Sequence, residues 1–427
     1  MRLRDVLSAG KTVMQVEGPA ADPYEVPLRI AKAGTTPILF KNAFGGGEQI
    51  VANIFASKDS VSGCLGIDDR EFLRDLGRRI TNPIGSLRRT QMDAFQEKKV
   101  GRGTGLPAFQ YFRSDAGKYV TSSVFLAQDP DSQVVNMSVH RMLVLNDKSF
   151  AVRMVEGRHL HRIFTRHRER GQDTPVAILV GCMPEVMVAA CCPVKWGESE
   201  MRLAGSLAGG ELPVVEPPGL DFSVPSGTEY LLVGSISKSE LAPESQVDIL
   251  GTPDAERRQP VVRISGFYAK ESPLYHAILP SGYEHKTLMG IPRAAAVWTA
   301  LEGRGIEVSG LALTPGSGGW LHCVISIKKK TRTDARDAVL VALNAHGSVK
   351  GVVVVDEDIN PEDYESIDFA LATRLRERDQ LITYEGLRGS SLDPSADRES
   401  HATLKWGLDL TLDTNEDKRR FMKEPIA

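Results

Sequence analysis

Between about Leu106 and Gly290 the sequence runs in short apolar stretches that alternate with period two, and this commits much of the chain to β-sheet. VVNMSVHRMLVL and SFAVRMV each alternate over strand lengths, and Asn146-Asp147-Lys148 between them has the composition of a hairpin turn. VAILVG reads as a buried strand, after which Pro184 opens the helical run PEVMVAACC. EYLLVGSI, PVVRISGFY and LYHAIL add further strands, so the spacing predicts a β-barrel-like middle domain with a few helices.

The flanks have other periods. The first hundred residues place TPILF and QIVANIF around turn signals such as Gly45-Gly46-Gly47, with a helical stretch at Asp69–Arg78. They read as an α+β domain ending near the polar segment Lys98–Gly105. Beyond Gly290, HCVISIKK and KGVVVVDEDI read as strands separated by the helix TDARDAVLVALNAH, and PEDYESIDFALATRLR follows as a helix. Such a β-α-β unit implies a right-handed crossover and a parallel sheet. A chain of 427 residues exceeds what one core supports. The expectation is therefore a mixed α+β and α/β multidomain chain: 1–105, a barrel over 106–290, and an α/β domain over 291–427. The charged segment after Thr411 is expected to be loosely held.

Composition narrows the function classes. A net charge of −3 gives no electrostatic reason for a nucleic-acid or anionic-membrane partner. No apolar run reaches the ~18 residues of a membrane span, and the first residues carry no signal-peptide core. A cytoplasmic enzyme is the expectation. Five cysteines with no CxxC pair argue against a disulfide framework, and adjacent Cys191 and Cys192 read as small buried side chains.

Polar residues inside the apolar pattern are the candidates for chemistry. Asn136 and Arg141 interrupt one β run, His159 follows in GRHLH, and Glu198 and Glu200 precede a Gly/Ala-rich stretch. Asn, His and Glu supply donors suited to Mn2+ or Mg2+ with phosphate oxygens completing the shell. From spacing alone, a solvated or bulge asparagine and a surface histidine are the commoner readings. Spacing also raises an objection, because positions five apart on a regular strand face opposite ways, so one ligand reaches both only if the strand bulges or ends there. An arginine in an apolar strand needs a carboxylate, and Glu229 at the head of TEYLLVG is the expected partner, as an acid–base pair or as a structural salt bridge. Glu271, His276 and His285 on the following segment are expected to line the same cavity. Asp356, Glu357 and Asp358 read as a solvated acidic turn, with a metal-dependent hydrolase site as the competing reading.

In order along the chain, NMSVHR, GRHLH, SEMRLAGSLAGG, VPSGTEYLLVG and LKWGLDLT resemble the successive motifs of the UbiD decarboxylases. The resemblance implies a split β-barrel binding prenylated FMN, with Mn2+ or Mg2+, and K+ as an additional ion. It implies Asn136, His159 and Glu200 as ligands of the divalent cation that bridges the flavin phosphate. Met137, Ser138, Val139, His140, Arg141, Arg158 and Lys405 would complete the cofactor site, Lys405 on the phosphate. Arg141 and Glu229 would belong to the catalytic group. Val233 stands where relatives carry a second glutamate, so Glu271 is the candidate for the third acidic role, with Asp248 as another. SVHRMLVLNDKSFAVRMVEGRHLH and LPSGYEHKTLMGIPR most resemble the short archaeal branch acting on trans-anhydromevalonate 5-phosphate in a modified mevalonate route, where Lys286 and Arg293 would be extra cations. A flavin prenyltransferase as cofactor supplier and a homo-oligomer are further implications. Aromatic or heteroaromatic acid decarboxylases, and a non-catalytic flavin-binding homologue, are the alternatives.

Overall fold

A computed structural model describes residues 2–8, 12–92, 95–97, 105–413 and 415–422. The chain forms two compact units, Met1–Phe72 with Arg79–Leu288, and Leu73–Arg78 with Met289–Ala427. The fold is mixed α/β and multidomain. Apart from Gly105, the polar boundary segment Lys98–Gly105 lies outside the described residues.

The first unit is built on a sheet of nine strands among the described residues. Its order is Tyr119–Val120, Met142–Asn146, Ser149–Val152, Arg257–Ala269, Tyr230–Glu244, Thr174–Val180, Val124–Gln128 and Val135–Val139, with Gln96–Glu97 pairing Arg257–Ala269. The hairpin over Asn146–Lys148 forms as the turn signal predicts, with Ser149 opposite Asn146. Strand Thr174–Val180 is flanked on both sides and buried along nearly its whole length, as its uninterrupted apolar run requires.

Chain order and sheet order together impose curvature. Val135–Val139 and Met142–Asn146 are separated only by His140 and Arg141, yet six inter-strand spacings lie between them in the sheet. In a flat sheet that is about 29 Å, whereas three Cα–Cα steps span at most about 11 Å. The sheet therefore curls into a half-barrel. Its ends are joined by one kinked hairpin, which pairs Val139 with Val124 on one side of the kink and Met142 with Val120 on the other. At the kink the His140 N–H donates to the Ser123 carbonyl (3.0 Å), and the Ser123 hydroxyl donates to the His140 carbonyl. The apolar filling includes Phe125, Phe150, Ile178, Leu232 and Phe267.

Two helices pack near this kinked hairpin. His159–Glu169 buries Leu160, Ile163, Phe164 and His167, so the basic HLHRIFTRHRER run is amphipathic rather than wholly surface. Glu200–Leu207 starts at an N-cap, Ser199, whose hydroxyl accepts from the Met201 N–H and donates to the Val135 carbonyl. All five cysteines are buried and none is in a disulfide.

The second unit carries a five-stranded sheet, ordered Val308–Leu313, His322–Ile327, Gly351–Asp356, Ala402–Asp409, Leu381–Arg388. His322–Ile327 and Gly351–Asp356 are parallel, as the β-α-β spacing predicts, with helix Asp334–Ala345 between them in sequence. Two expectations are corrected here. Asp356 is not a solvated turn residue: it is buried and, with Asp358, brackets the fully buried guanidinium of Arg374 at 3.2 and 2.5 Å. A buried cation needs such carboxylates, which leaves the hydrolase reading without its free acids. The described part of the segment after Thr411 is tied down by Arg376–Glu416 (2.7 Å) and by the Phe421 carbonyl, which accepts from Arg374, while 414 and 423–427 lie outside the described residues.

Candidate active site

The kinked hairpin places two polar groups on either side of one bend. Asn136 lies in the strand before it, buried, and its Nδ2 donates to Glu200 Oε1 at 2.9 Å. Glu200, the first residue of its helix, is 3% exposed and also accepts the Met137 N–H on Oε2 at 2.8 Å. His159 opens helix His159–Glu169 with Nδ1 3.5 Å from Glu200 Oε1 and its ring edge-on to Trp196. Asn136, His159 and Glu200 thus meet although 64 residues separate the first and last. A carboxylate, an amide and an imidazole converging on one buried point match a divalent cation with vacant positions for phosphate. Among the described residues no cluster of three His, Cys, Asp or Glu forms; an asparagine would have to supply the third donor here.

The objection about strand faces is resolved by the break in the strand. His140 and Arg141 belong to neither strand, so the alternation restarts between Asn136 and Arg141. His140 is fixed in the bend, its Nδ1 on the Arg153 carbonyl (2.9 Å) and its Nε2 on the Ser138 hydroxyl (2.9 Å). Burial, with the charge of Arg153, pushes its pKa down to about 4, so the ring is neutral near pH 7.

Arg141 has carboxylate partners, but Glu229 is not among them, which corrects the expected pair. Its Nε and Nη2 donate to Glu244 at 2.8 and 3.2 Å, and Nη2 also reaches Asp254 at 3.3 Å. Glu244 is 1% exposed and also accepts the Tyr119 hydroxyl at 3.0 Å. Glu229 and Glu244 flank opposite ends of the 15-residue strand Tyr230–Glu244, and the bend delivers Arg141 to the Glu244 end. Glu229 is instead held by Arg4 (2.9 Å) and by the Leu274 N–H (3.0 Å). Its backbone packs on Gly181, φ +73°, where a Cβ would sit 2.8 Å from the Cβ of Glu229. Glu271 is exposed in a turn and pairs with neither arginine. The Asp248 carboxylate is spent on its own turn, accepting from Leu250, Thr252 N–H and Thr252 hydroxyl.

The surroundings of Arg141 carry surplus positive charge. Arg257 binds Asp254 at 2.6 Å. Arg153 is lowered by burial and by the charges of Arg257 and Arg141. Three guanidiniums thus face two carboxylates. His285, half-buried, accepts the Ser281 N–H on Nδ1, and burial and the charge of Arg141 push its pKa down to about 4. His276 does not join this group; it is fully buried, with Nε2 on Glu284 (3.0 Å). Arg158 is an exposed helix-cap residue. Lys405 lies in the second unit, buried, with its ammonium on the Gly347 carbonyl (2.7 Å). Arg293, also there, stacks on Trp320.

Sequence reasoning missed Glu244 because the polar run Ser237-Lys238-Ser239-Glu240 interrupts the apolar pattern before it. The available signal was Pro243-Glu244 facing the basic Arg257-Arg258 pair in a neighbouring strand.

Residues 89–283 match the family model for the 3-octaprenyl-4-hydroxybenzoate carboxy-lyase Rift-related domain, and residues 286–410 match that for the C-terminal domain of the same carboxy-lyase. The chain belongs to the UbiD family. Among similar proteins, an anhydromevalonate phosphate decarboxylase of Methanothermobacter thermautotrophicus is 33% identical over 403 residues, 94% of each chain. One from Methanocaldococcus jannaschii is 38% identical over 318 residues, 74% of each. Among solved structures, the UbiD-class enzyme HmfF of Pelotomaculum thermopropionicum in complex with FMN has a TM-score of 0.93 at 27% identity, covering 100% of this chain and 97% of that one. An evolved dimeric form of HmfF in complex with prFMN gives 0.89 at 26%, covering 97% and 96%. This UbiD-family chain is accordingly a carboxy-lyase, and among its described residues no helix is long and apolar enough to cross a membrane.

Proposed function

We propose that this carboxy-lyase is a prenylated-FMN-dependent, non-oxidative decarboxylase of trans-anhydromevalonate 5-phosphate, releasing CO2 and isopentenyl phosphate. The relatives at 33 and 38% identity that bear that activity in their names support the substrate, and HmfF with prFMN supports the cofactor. The observation that carries the reading is the pair of polar sites flanking one bend, Asn136–His159–Glu200 on one side and Arg141–Glu244 on the other. In this reading residues 106–290 are a split β-barrel that holds the flavin, between an N-terminal α+β domain, 1–105, and a C-terminal α/β domain, 291–427. A flavin prenyltransferase supplies the cofactor, and the assembly is a cytoplasmic homo-oligomer.

Asn136, His159 and Glu200 would hold Mn2+ or Mg2+ against the flavin phosphate. Asn136 would turn its amide oxygen toward the ion, releasing the hydrogen bond it now makes to Glu200. The Met137 N–H keeps Glu200 oriented by binding its far oxygen. When bound, the prenylated flavin supplies an electron sink for the bond that breaks between the carboxylate and the α-carbon. Arg141 and the surplus positive charge of Arg153 and Arg257 attract the substrate carboxylate. Glu244, oriented by Arg141 and Tyr119, passes the proton that replaces CO2 on the α-carbon. In this scheme Glu229 holds Arg4 and the Leu274 backbone rather than moving a proton.

The test is a substrate panel. Protein co-produced with a flavin prenyltransferase is supplied with trans-anhydromevalonate 5-phosphate and with aryl and heteroaryl acids, and CO2 and product are followed by NMR. Turnover of the phosphorylated enoic acid is expected. Turnover confined to aryl acids would replace the substrate, and cofactor binding without any CO2 release would replace the activity.

A further inference from the structure

A cavity of about 580 Å3 in the first unit is not used by this mechanism. Leu28, Ile30 and Leu279 give it apolar wall, Tyr24 and Tyr111 aromatic wall, and two cations open into it, Lys286 and Arg113. Lys286 is half-buried, and burial lowers its pKa with no carboxylate among the described residues to offset the loss of hydration. Arg113 is exposed at the rim, its guanidinium 5.6 Å from the centre of the Tyr24 ring. Two polar groups of the wall already have partners. Asn53 Nδ2 donates to the Ile30 carbonyl, and the Tyr111 hydroxyl bonds Thr121. Two cations with no ion pair among the described residues, opening into one cavity, call for an anionic ligand.

The same residues join the cavity to the acid–base cluster. The Tyr111 and Phe112 N–H groups donate to Asp115 Oδ2 at 3.2 and 3.0 Å, while Asp115 Oδ1 accepts the N–H of Val247, three residues past Glu244. The Ala116 N–H donates to the Ser245 carbonyl. Lys286, which also lines the cavity, directly follows His285, which feels the charge of Arg141. Asp115 and His285 thus link the cavity to the Arg141–Glu244 cluster, where the proposed function has the substrate carboxylate read.

We infer that this cavity receives the phosphorylated end of the substrate, with Lys286 as the counter-ion of the phosphate and Arg113 at the rim. The inference rests on the proposed function and deepens it. Aryl acids lacking a phosphate leave Lys286 unpaired, so the cavity selects for the phosphorylated acid rather than only tolerating it. The apolar wall accommodates the branched hydrocarbon between the two anionic ends.

Calorimetric titration of the holoenzyme with isopentenyl phosphate and with inorganic phosphate reads the site without turnover. Lys286→Met, which keeps the aliphatic stem, is expected to weaken isopentenyl phosphate binding by ~10–100-fold, and Lys286→Arg to restore most of it. In kinetics the loss falls in KM for the phosphorylated acid, and the preference over its dephosphorylated counterpart collapses. Arg113→Gln, on the exposed rim, gives a smaller loss of the same kind and carries the test should Lys286→Met fail to fold. Unchanged affinity in folded Lys286→Met overturns the inference. Failure of the wild type to turn over the phosphorylated acid overturns the function instead, and the two results are read separately.

Discussion

Replacing Glu244 by glutamine separates the acid–base assignment from a purely structural one. The carboxylate is 1% exposed and binds Arg141 through both oxygens at 2.8 and 3.2 Å, with Tyr119 on Oε1 at 3.0 Å. Removing one member of a buried ion pair costs about 3–5 kcal/mol. Here Asp254 still faces Arg141 at 3.3 Å, so a cost at or just below the bottom of that range, about 2–3 kcal/mol, is expected. That lowers the thermal midpoint by about 5–10 °C. If Glu244 delivers the proton, turnover falls by ~100- to 10,000-fold beyond any stability effect. The assay is CO2 release at a temperature where both proteins are folded, with cofactor occupancy matched by absorbance. Glu229→Gln, measured alongside, should lose stability through Arg4 and retain most turnover. A destabilised Glu244→Gln whose turnover stays within about threefold of wild type would refute the assignment. So would the opposite pattern, in which only Glu229→Gln is inactive.

Further outcomes follow from the same geometry. Glu200→Gln should leave the fold intact and lower bound Mn2+ by at least ~10-fold in metal analysis of purified holoprotein; full metal content would remove Glu200 from the ligand set. His140 and His285 have folded pKa values of about 4, below the ~6.5 of an unfolded histidine. Between those values the unfolded chain binds the extra protons, so stability falls as pH falls from about 6.5 to 4, by up to ~1.4 kcal/mol per unit for each ring. A urea midpoint that is flat from pH 7 to 5 would contradict both burials. Gly181→Ala forces a Cβ to 2.8 Å from the Glu229 Cβ and from the Leu274 carbonyl at φ +73°, and should cost at least ~1–3 kcal/mol in denaturant unfolding.

Much of this molecule could be read from its sequence where pattern and packing agree. The hairpin at Asn146–Lys148, the buried strand Thr174–Val180 and the parallel pair in the second unit each follow from periodicity and turn chemistry. Asn136, His159 and Glu200 were legible only through ordered motifs, because 64 residues and two helix starts separate groups that meet within hydrogen-bond reach. The partner of Arg141 was not legible. The sequence places two glutamates at the two ends of one strand, and choosing between them requires knowing where the chain bends. Asp356 was misread for a related reason: an acidic strand end looks solvated until the buried Arg374, 18 residues on, is folded against it.

The two-residue step at His140 and Arg141 has a consequence for how such a chain can vary. It is the clasp of the half-barrel, and it also sets the phase between the Asn136–Glu200 and Arg141–Glu244 contacts. One residue more or fewer there would reverse which side chains of the following strand point inward, carrying Arg141 away from Glu244 while Asn136 stayed on Glu200. Loops elsewhere can lengthen at small cost, but this connection admits no change in length. Mutational drift in the family should therefore appear as substitutions around a segment of invariant span, and a one-glycine insertion after Val139 should give a protein that still retains metal yet no longer releases CO2.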